Sequence, residues 1–159
     1  AYRRQRQMCI RDSTKATEHD AVVMAEKWIT GREYTIVVLN GQALPVIRLE
    51  PPQDVAFYDY EAKYQRNDVQ YGIPCGLSEA EEQQLKALSL RAFQAVGASG
   101  WGRIDAMQDE QGNFWLLEVN TVPGMTSHSL VPKAAAAVGY SFDELCVAIL
   151  EQTLIGSAH

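Results

Sequence analysis

Short runs of apolar, β-branched residues alternate along this chain with stretches of strong helix formers. The runs AVVMAEKWI, EYTIVVLNG and QALPVIRLE, which follow one another from Ala21, predict β-strands. Asn40-Gly41, between the last two runs, is typical of a two-residue hairpin turn. The pattern therefore predicts an antiparallel sheet that begins at about residue 21.

Capping signals predict three helices in the second half of the chain. Two of them begin with a serine three residues before a glutamate, which is capping-box spacing, and the short helix between them has a proline in its first turn. Glycines close all three. The expected helical spans are 78–97, 132–139 and 141–156.

Residues 51–77 show no clean period, yet they contain five aromatic side chains. That composition is too aromatic for a disordered linker. A long ordered loop inside a compact domain is usually functional, so a functional loop is expected here.

Composition restricts the class of protein. With 159 residues and 47 % apolar content, one globular domain, or part of a larger one, is expected. The net charge of -6 argues against nucleic acid and anionic membranes as partners. No apolar run approaches the roughly 18 residues of a membrane span, and no apolar signal-peptide core follows the first residues of this sequence, so a cytoplasmic location is expected. Cys9, Cys75 and Cys146 form no paired motif and are expected to be reduced thiols, with Cys146 in the core.

Residues 1–13 differ from the rest, with four arginines against one aspartate. A basic arm is one interpretation of this segment. A foreign or mis-joined segment is the favoured one, which leaves 14–159 as the domain.

Two apolar runs flank Gln111-Gly112 in WGRIDAMQDEQGNFWLLEVN. If these two residues form a hairpin loop, counting back along both strands gives two facing pairs on one side of the sheet. Asp105 then lies opposite Glu118, and Arg103 lies opposite Asn120.

Two carboxylates directly across a ladder repel each other, and a cation between them would remove the repulsion. Oxygen ligands from Asp, Glu and Asn suit Mg²⁺ or Mn²⁺, and Mg²⁺ usually shares its shell with phosphates. The adjacent Arg103 is well placed to hold a phosphoryl group. Ordinary solvated charges on an exposed sheet face are the alternative interpretation.

The segment NTVPGMTSHSLVP connects the second strand to a helix, so backbone amides and the hydroxyls of Ser127 and Ser129 gather at a helix N-terminus. This arrangement suits an anion such as a substrate carboxylate, and the amide of Gly124 can approach an oxyanion closely. Simple helix capping is the alternative for both serines.

Four motifs, EKWITGREYT, FYDYEAKY, WGRIDAM and LLEVNTVPGMTSHSLVP, resemble in order and spacing the C-terminal half of the D-alanine:D-alanine ligase family. The resemblance covers roughly Ala21 to Leu154. It implies the α+β C-terminal part of an ATP-grasp fold, an antiparallel sheet with flanking helices. It also implies ATP-dependent ligation of two D-alanines through an acyl phosphate, for peptidoglycan synthesis.

The resemblance implies a role for each matching residue. Two Mg²⁺ or Mn²⁺ ions would be held by Asp105, Glu118 and Asn120, with Glu118 bridging them. Arg103 and the Gly124 amide would stabilise the acyl phosphate and the tetrahedral oxyanion. The carboxylate of the second D-alanine would be received by Ser129 and Leu130.

The resemblance also implies how ATP is held. Adenine would contact Glu26, Lys27, Trp28 and Ile29, and Glu33 would bind the ribose hydroxyls. Lys63 and Tyr64 would belong to the loop that closes over the phosphates, with Lys63 as the cation that meets them. A tyrosine at position 64 goes with the dipeptide product in this family.

The family's N-terminal domain and central lobe have no counterpart in this sequence. The chain is therefore expected to be truncated and inactive by itself, with the full-length enzyme a homodimer. Two alternatives remain: another ATP-grasp ligase, such as a D-alanine:D-lactate ligase, and a non-catalytic nucleotide-binding fragment.

Overall fold

One antiparallel sheet with helices on both faces organises the protein, and the computed structural model describes residues 12–50 and 70–155. The α+β class predicted from the sequence is confirmed. The strands are β1 (Gly31–Leu39), β2 (Gln42–Ala43), β3 (Ile47–Glu50), β4 (Gln70–Gly72), β5 (Trp101–Asp109) and β6 (Phe114–Asn120). The helices are α1 (Glu79–Ala95), α2 (Leu130–Ala136) and α3 (Phe142–Ile155), and a helical turn covers 12–16.

The strand order is β4-β3-β1-β5-β6, with β2 paired to β1. The two central strands, β1 and β5, pair along their whole length, from Gly31 opposite Asp109 to Leu39 opposite Trp101. Every side chain of β1 from Tyr34 to Leu39 is buried, because helices cover both faces there. This pair of strands forms the centre of the fold.

The two faces of the sheet carry different helices. On one face, Tyr34 and Ile36 of β1 pack with Leu85 of α1. On the other, Val37 and Leu39 pack with α2 and α3. Glu33 lies further along this second face, is only half buried and lines an open cavity. The layer formed by α2 and α3 therefore ends where the cavity begins.

The predicted helix caps are confirmed. The hydroxyl of Ser78 accepts a hydrogen bond from the amide of Glu81, whose carboxylate accepts one from the amide of Ser78, at 3.3 and 2.9 Å. Ser141 and Glu144 make the same reciprocal pair before α3, at 3.2 and 2.8 Å. These bonds satisfy amides that the first turn of a helix leaves unpaired. The short helix starts two residues earlier than predicted, which leaves its proline in the first turn.

The predicted strand AVVMAEKWI is wrong. Residues 21–30 have no strand assignment and pair with no described strand. Val22, Met24 and Trp28 are 83 %, 79 % and 71 % exposed. Apolar periodicity makes a strand only where a partner strand satisfies the backbone, and β1 already has β3 and β5 beside it.

The first hairpin confirms one prediction and corrects another. Asn40 and Gly41 adopt φ of +51° and +71°, as a two-residue hairpin loop requires. QALPVIRLE, however, forms two strands, β2 and β3, rather than one. Pro45 lies between them and has no amide hydrogen to continue the ladder.

The β5–β6 hairpin has a three-residue loop, which corrects the prediction of a two-residue loop at Gln111-Gly112. The amide of Asp109 donates to the carbonyl of Asn113 at 2.9 Å, and Gly112 takes φ of +85°. Further along, Leu117 is an extra residue on β6, because the register shifts between Asp105 and Ala106 of β5. This bulge offsets the longer loop.

Within the described residues there is no helix long and apolar enough to cross a membrane. The two cysteines in this part of the chain, Cys75 and Cys146, are free thiols. Cys146 is only half buried, so its predicted place in the core is wrong; Cys75 is the buried one. Burial raises the pKa of the Cys75 thiol.

The Asp109 carboxylate is expected to make the hairpin loop sensitive to acid. A hydrogen bond from the Trp115 indole, together with others from Asn113 and Gln111, lowers the pKa of Asp109 to about 2. The pKa of an aspartate in the unfolded chain is about 3.9. The carboxylate therefore contributes its full stabilisation of the folded state above that pH, and this contribution is lost as the pH falls towards about 2. Asp109→Asn should lower the melting temperature near neutral pH, and the difference from the parent should shrink on acidification.

Thermal unfolding followed by circular dichroism at several pH values measures this difference. The matched control is Glu110→Gln, which changes the neighbouring exposed carboxylate and should leave the melting temperature unchanged. An Asp109→Asn difference that stays constant across acidic pH would contradict the assignment.

Candidate active site

The four side chains predicted to share one face of the β5–β6 ladder do so. The bulge and the longer loop offset each other, so the predicted register is confirmed at these positions. Arg103 pairs with Asn120, and Asp105 pairs with Glu118. Side chains two residues apart on a strand share a face, so the four form one cluster.

Asp105 is the buried member of this cluster, at 2 % exposure. Arg103 donates two hydrogen bonds to its carboxylate, from Nε to Oδ1 at 3.0 Å and from Nη2 to Oδ2 at 2.8 Å. Thr35 of β1 donates to Oδ1 at 2.5 Å. A buried carboxylate requires such partners, because desolvation of an unpaired charge is costly.

Glu118 is the exposed member, with 51 % of its side chain accessible. Its Oε1 accepts a hydrogen bond from Nδ2 of Asn120 at 3.1 Å and lies 3.8 Å from Nη2 of Arg103. The same Nδ2 lies 3.4 Å from Oδ2 of Asp105. The Asn120 amide thus connects the two carboxylates across the ladder.

The donor set of this cluster fits a hard divalent cation. Two carboxylates face one guanidinium, so the cluster retains negative charge that a cation would neutralise. Asp105, Glu118 and Asn120 offer only oxygen ligands besides the amide nitrogen, as Mg²⁺ and Mn²⁺ prefer. In residues 12–50 and 70–155 no three His, Cys, Asp or Glu side chains group as a metal site. Mg²⁺ usually keeps several waters and binds phosphate oxygens, and these would complete a shell that Asp105, Glu118 and Asn120 begin.

A cavity of about 940 Å³ opens beside the cluster. Its volume lies within the range of small-molecule sites, about 300–1,000 Å³. The residues predicted to contact adenine and ribose all line it: Glu26, Lys27, Trp28, Ile29 and Glu33. Glu118 lines the same cavity. The structure therefore brings the predicted nucleotide segment and one predicted metal ligand to one cavity.

Trp115 was not predicted from the sequence, although it lines the cavity. The ammonium group of Lys27 lies 4.2 Å from the centre of its ring, a cation–π contact. The indole Nε1 donates to the Asp109 carboxylate at 2.8 Å. Trp115 therefore links the hairpin loop to the predicted adenine segment. Simple alternation from Glu118 would place Trp115 on the opposite face of β6, and the bulge at Leu117, which the sequence did not indicate, brings it to the site face.

The glycine-containing loop after β6 is ordered by its own hydrogen bonds. Ser129 occupies the N-cap position of α2, but its side chain makes no cap hydrogen bond. Its hydroxyl instead accepts one from the amide of Thr126 at 3.0 Å. A Cβ at Gly124 would lie 3.3 Å from this hydroxyl. Simple capping is therefore not the role of the Ser129 side chain.

Gly124, Ser129 and Leu130 are described residues, and none of them lines the cavity. Their assignments to the oxyanion and to the substrate carboxylate stay predictions. Lys63 and Tyr64 lie outside the described residues, so the structure does not test their assignment to a phosphate-closing loop.

Comparison with known proteins agrees with this geometry. Residues 5–151 match the family described as D-ala D-ala ligase C-terminus. A D-alanine–D-alanine ligase of Acinetobacter baumannii is 88 % identical over 144 residues, which are 91 % of this chain and 47 % of that protein. One from Acinetobacter baylyi is 81 % identical over 145 residues, with the same two shares. The chain thus spans about half the length of these relatives.

Solved structures show the same fold. The D-alanine–D-alanine ligase of Bacillus anthracis complexed with ATP matches with a TM-score of 0.68 and 29 % identity, over 81 % of this chain and 40 % of that one. The VanG D-Ala:D-Ser ligase of Enterococcus faecalis matches with a TM-score of 0.66 and 28 % identity, over 80 % of this chain and 37 % of that one. The domain boundary at residue 13 stays a prediction, because residues 1–11 are not described. By its sequence match and its fold, this chain belongs to the D-alanine–D-alanine ligase C-terminal family.

Proposed function

We propose that this chain supplies the ATP- and metal-binding half of a ligase that joins two D-alanines into D-alanyl-D-alanine, a peptidoglycan precursor. One observation carries the proposal: Glu118 belongs both to the carboxylate cluster and to the wall of the cavity that the predicted adenine segment lines. A nucleotide in that cavity would have its base at residues 26–29 and its phosphates towards the carboxylates. The Acinetobacter relatives are named D-alanine–D-alanine ligases, which supports D-alanine as the substrate.

ATP is the proposed cofactor of the cavity. Trp28 and Ile29 offer apolar surface for a purine, and Glu33 offers a carboxylate for ribose hydroxyls. The likeness to a Bacillus anthracis ligase that was crystallised with ATP supports this choice. Mg²⁺ or Mn²⁺, proposed as two ions on Asp105, Glu118 and Asn120, would neutralise phosphate charge and orient the terminal phosphoryl group.

Arg103 is proposed to stabilise the charge that develops on the transferred group. The Asp105 carboxylate fixes its guanidinium by two bonds, so little reorganisation is needed during the reaction. A carboxylate oxygen of the first D-alanine would attack the γ-phosphorus of ATP. This step would form an acyl phosphate and release ADP. The amine of the second D-alanine would then attack the carbonyl carbon of this acyl phosphate, lose a proton and expel phosphate.

Further groups are proposed around the second substrate. The Gly124 amide would face the tetrahedral oxyanion, and Ser129 and Leu130 would receive the carboxylate of the second D-alanine. Lys63 would meet the phosphates, and Tyr64 favours the amide product. The homodimer and the cytoplasmic location of the longer protein stay predictions.

A different second substrate is the alternative within this family. The likeness to a protein named as a D-Ala:D-Ser ligase favours testing D-serine, and D-lactate is the other candidate. From a different class, the chain alone is a nucleotide-binding fragment without turnover. It spans about half the length of its relatives, and misplacement of about 1 Å at a site built between lobes costs on the order of 100-fold in rate.

MgADP is expected to raise the melting temperature of the 159-residue chain. A ligand that binds only the folded state stabilises it, by about 2.7 kcal/mol at a concentration about 100 times Kd. Differential scanning fluorimetry at millimolar MgADP measures the shift. Glu118→Gln should reduce the shift and Glu110→Gln, in the hairpin loop outside the cavity, should preserve it. No shift in the parent chain would contradict nucleotide binding by this half alone.

Catalysis is testable in a longer protein, because the Acinetobacter baumannii ligase is 88 % identical over the matched half. Residues 14–155 of this chain replace that half, and ADP release is measured with D-alanine, D-serine or D-lactate as second substrate. We expect D-alanine to be preferred. Glu118→Gln should reduce the rate at least about 100-fold through loss of a metal ligand, whereas Glu110→Gln should keep it. A hybrid that retains its rate after Glu118→Gln would contradict the metal assignment.

A further inference from the structure

Thr35 is the buried polar side chain at the centre of β1, in the run EYTIVVL. Its neighbours along the same face are Val37, which packs into the core of α2 and α3, and Glu33, which lines the cavity. Thr35 therefore lies at the boundary between the closed core and the open site. It pairs directly with Asp105 of β5.

The hydroxyl of Thr35 and the two bonds from Arg103 together hold the Asp105 carboxylate in its orientation. The hydroxyl donates to Oδ1 at 2.5 Å, on the same oxygen that receives Nε of Arg103 at 3.0 Å. Oδ2 is the oxygen on the side of Asn120, whose Nδ2 lies 3.4 Å from it and 3.1 Å from Oε1 of Glu118. With Oδ1 held on the Thr35 side, Oδ2 is presented to the rest of the cluster.

We propose that Thr35 is a positioning residue for metal binding, which holds the Asp105 carboxylate so that Oδ2 faces Glu118 and Asn120. The inference rests on the proposed function of the cluster. Hydrogen bonds to the ligating carboxylate restrict its orientation before the metal arrives, and their loss typically weakens metal binding. Thr35 is suited to this task because both it and Asp105 are buried, so water does not replace the hydroxyl.

The test is Mn²⁺ binding to the 159-residue chain. The electron paramagnetic resonance signal of free Mn²⁺ measures how much of the metal remains unbound. Thr35→Val keeps the shape of the side chain and removes the donor, and Thr35→Ser keeps the donor. We expect Thr35→Val to raise the Mn²⁺ Kd about 10-fold or more and Thr35→Ser to stay within about twofold of the parent. Ser89→Ala, which removes a buried hydroxyl on the opposite side of the sheet in α1, is the control for general effects of core polarity and should leave the Kd unchanged.

A second readout separates positioning from folding. In the hybrid ligase described above, Thr35→Val should raise the Mn²⁺ concentration that gives half-maximal rate while most of the rate at saturating Mn²⁺ remains. A merely structural role would lower the amount of active protein at every metal concentration and leave that midpoint in place.

The outcomes distinguish this inference from the proposal on which it rests. If Glu118→Gln loses Mn²⁺ and Thr35→Val binds it like the parent, the role of Thr35 is wrong and the metal site stands. If the parent chain does not bind Mn²⁺, or Glu118→Gln binds it unchanged, the metal assignment fails and the inference fails with it. Equal weakening by Thr35→Val and Thr35→Ser would also overturn the role of the hydroxyl.

Discussion

A carboxylate buried at the centre of a sheet requires strong partners, and Asp105 takes them from three strands. Thr35 belongs to β1, Arg103 to β5 and Asn120 to β6. Removing a partner from a buried charge commonly costs about 3–5 kcal/mol, so the three strands must keep the register in which these side chains meet. The arrangement of the sheet and the arrangement of the site are therefore one constraint.

The bulge at Leu117 shows how the chain meets this constraint. Near the loop, Met107 pairs with Trp115, which is the register that a three-residue turn sets. If β6 had no extra residue, this register would continue and Asp105 would pair with Leu117. Glu118 would then point to the opposite face, because side chains alternate along a strand. The bulge returns Glu118 to Asp105. It also leaves Leu116 and Leu117 together on the wall of the cavity, which is a common use of bulges beside functional sites.

Local signals predicted the parts of the fold that depend on local chemistry. Capping serines marked α1 and α3, and Asn40-Gly41 marked the first hairpin, because each motif satisfies its own backbone. The facing pairs of the site were predicted correctly from a two-residue loop that does not exist, because the unpredicted bulge offsets the longer loop. Residues 21–29 were wrongly predicted because a strand depends on a partner far away in sequence. Thr35 was missed for the same reason: its role follows from the β1–β5 pairing, which no local pattern indicates.

The carboxylate cluster and the predicted adenine segment at residues 26–29 differ in how strongly the fold fixes their positions. Asp105 lies on β5, where Ile104 and Ala106 on either side of it are buried, so its position is largely set before a ligand arrives. Glu118 lies on the more exposed strand β6, where pairing with Asp105 and the hydrogen bond from Asn120 hold it. Residues 26–29 line the same cavity without a partner strand among the described residues, and Lys27 contacts the sheet through Trp115. Segments with exposed backbone and little apolar burial open more readily than core strands. Nucleotide affinity should therefore depend on the cost of ordering this segment, whereas metal affinity depends on ligands that the sheet already holds in place.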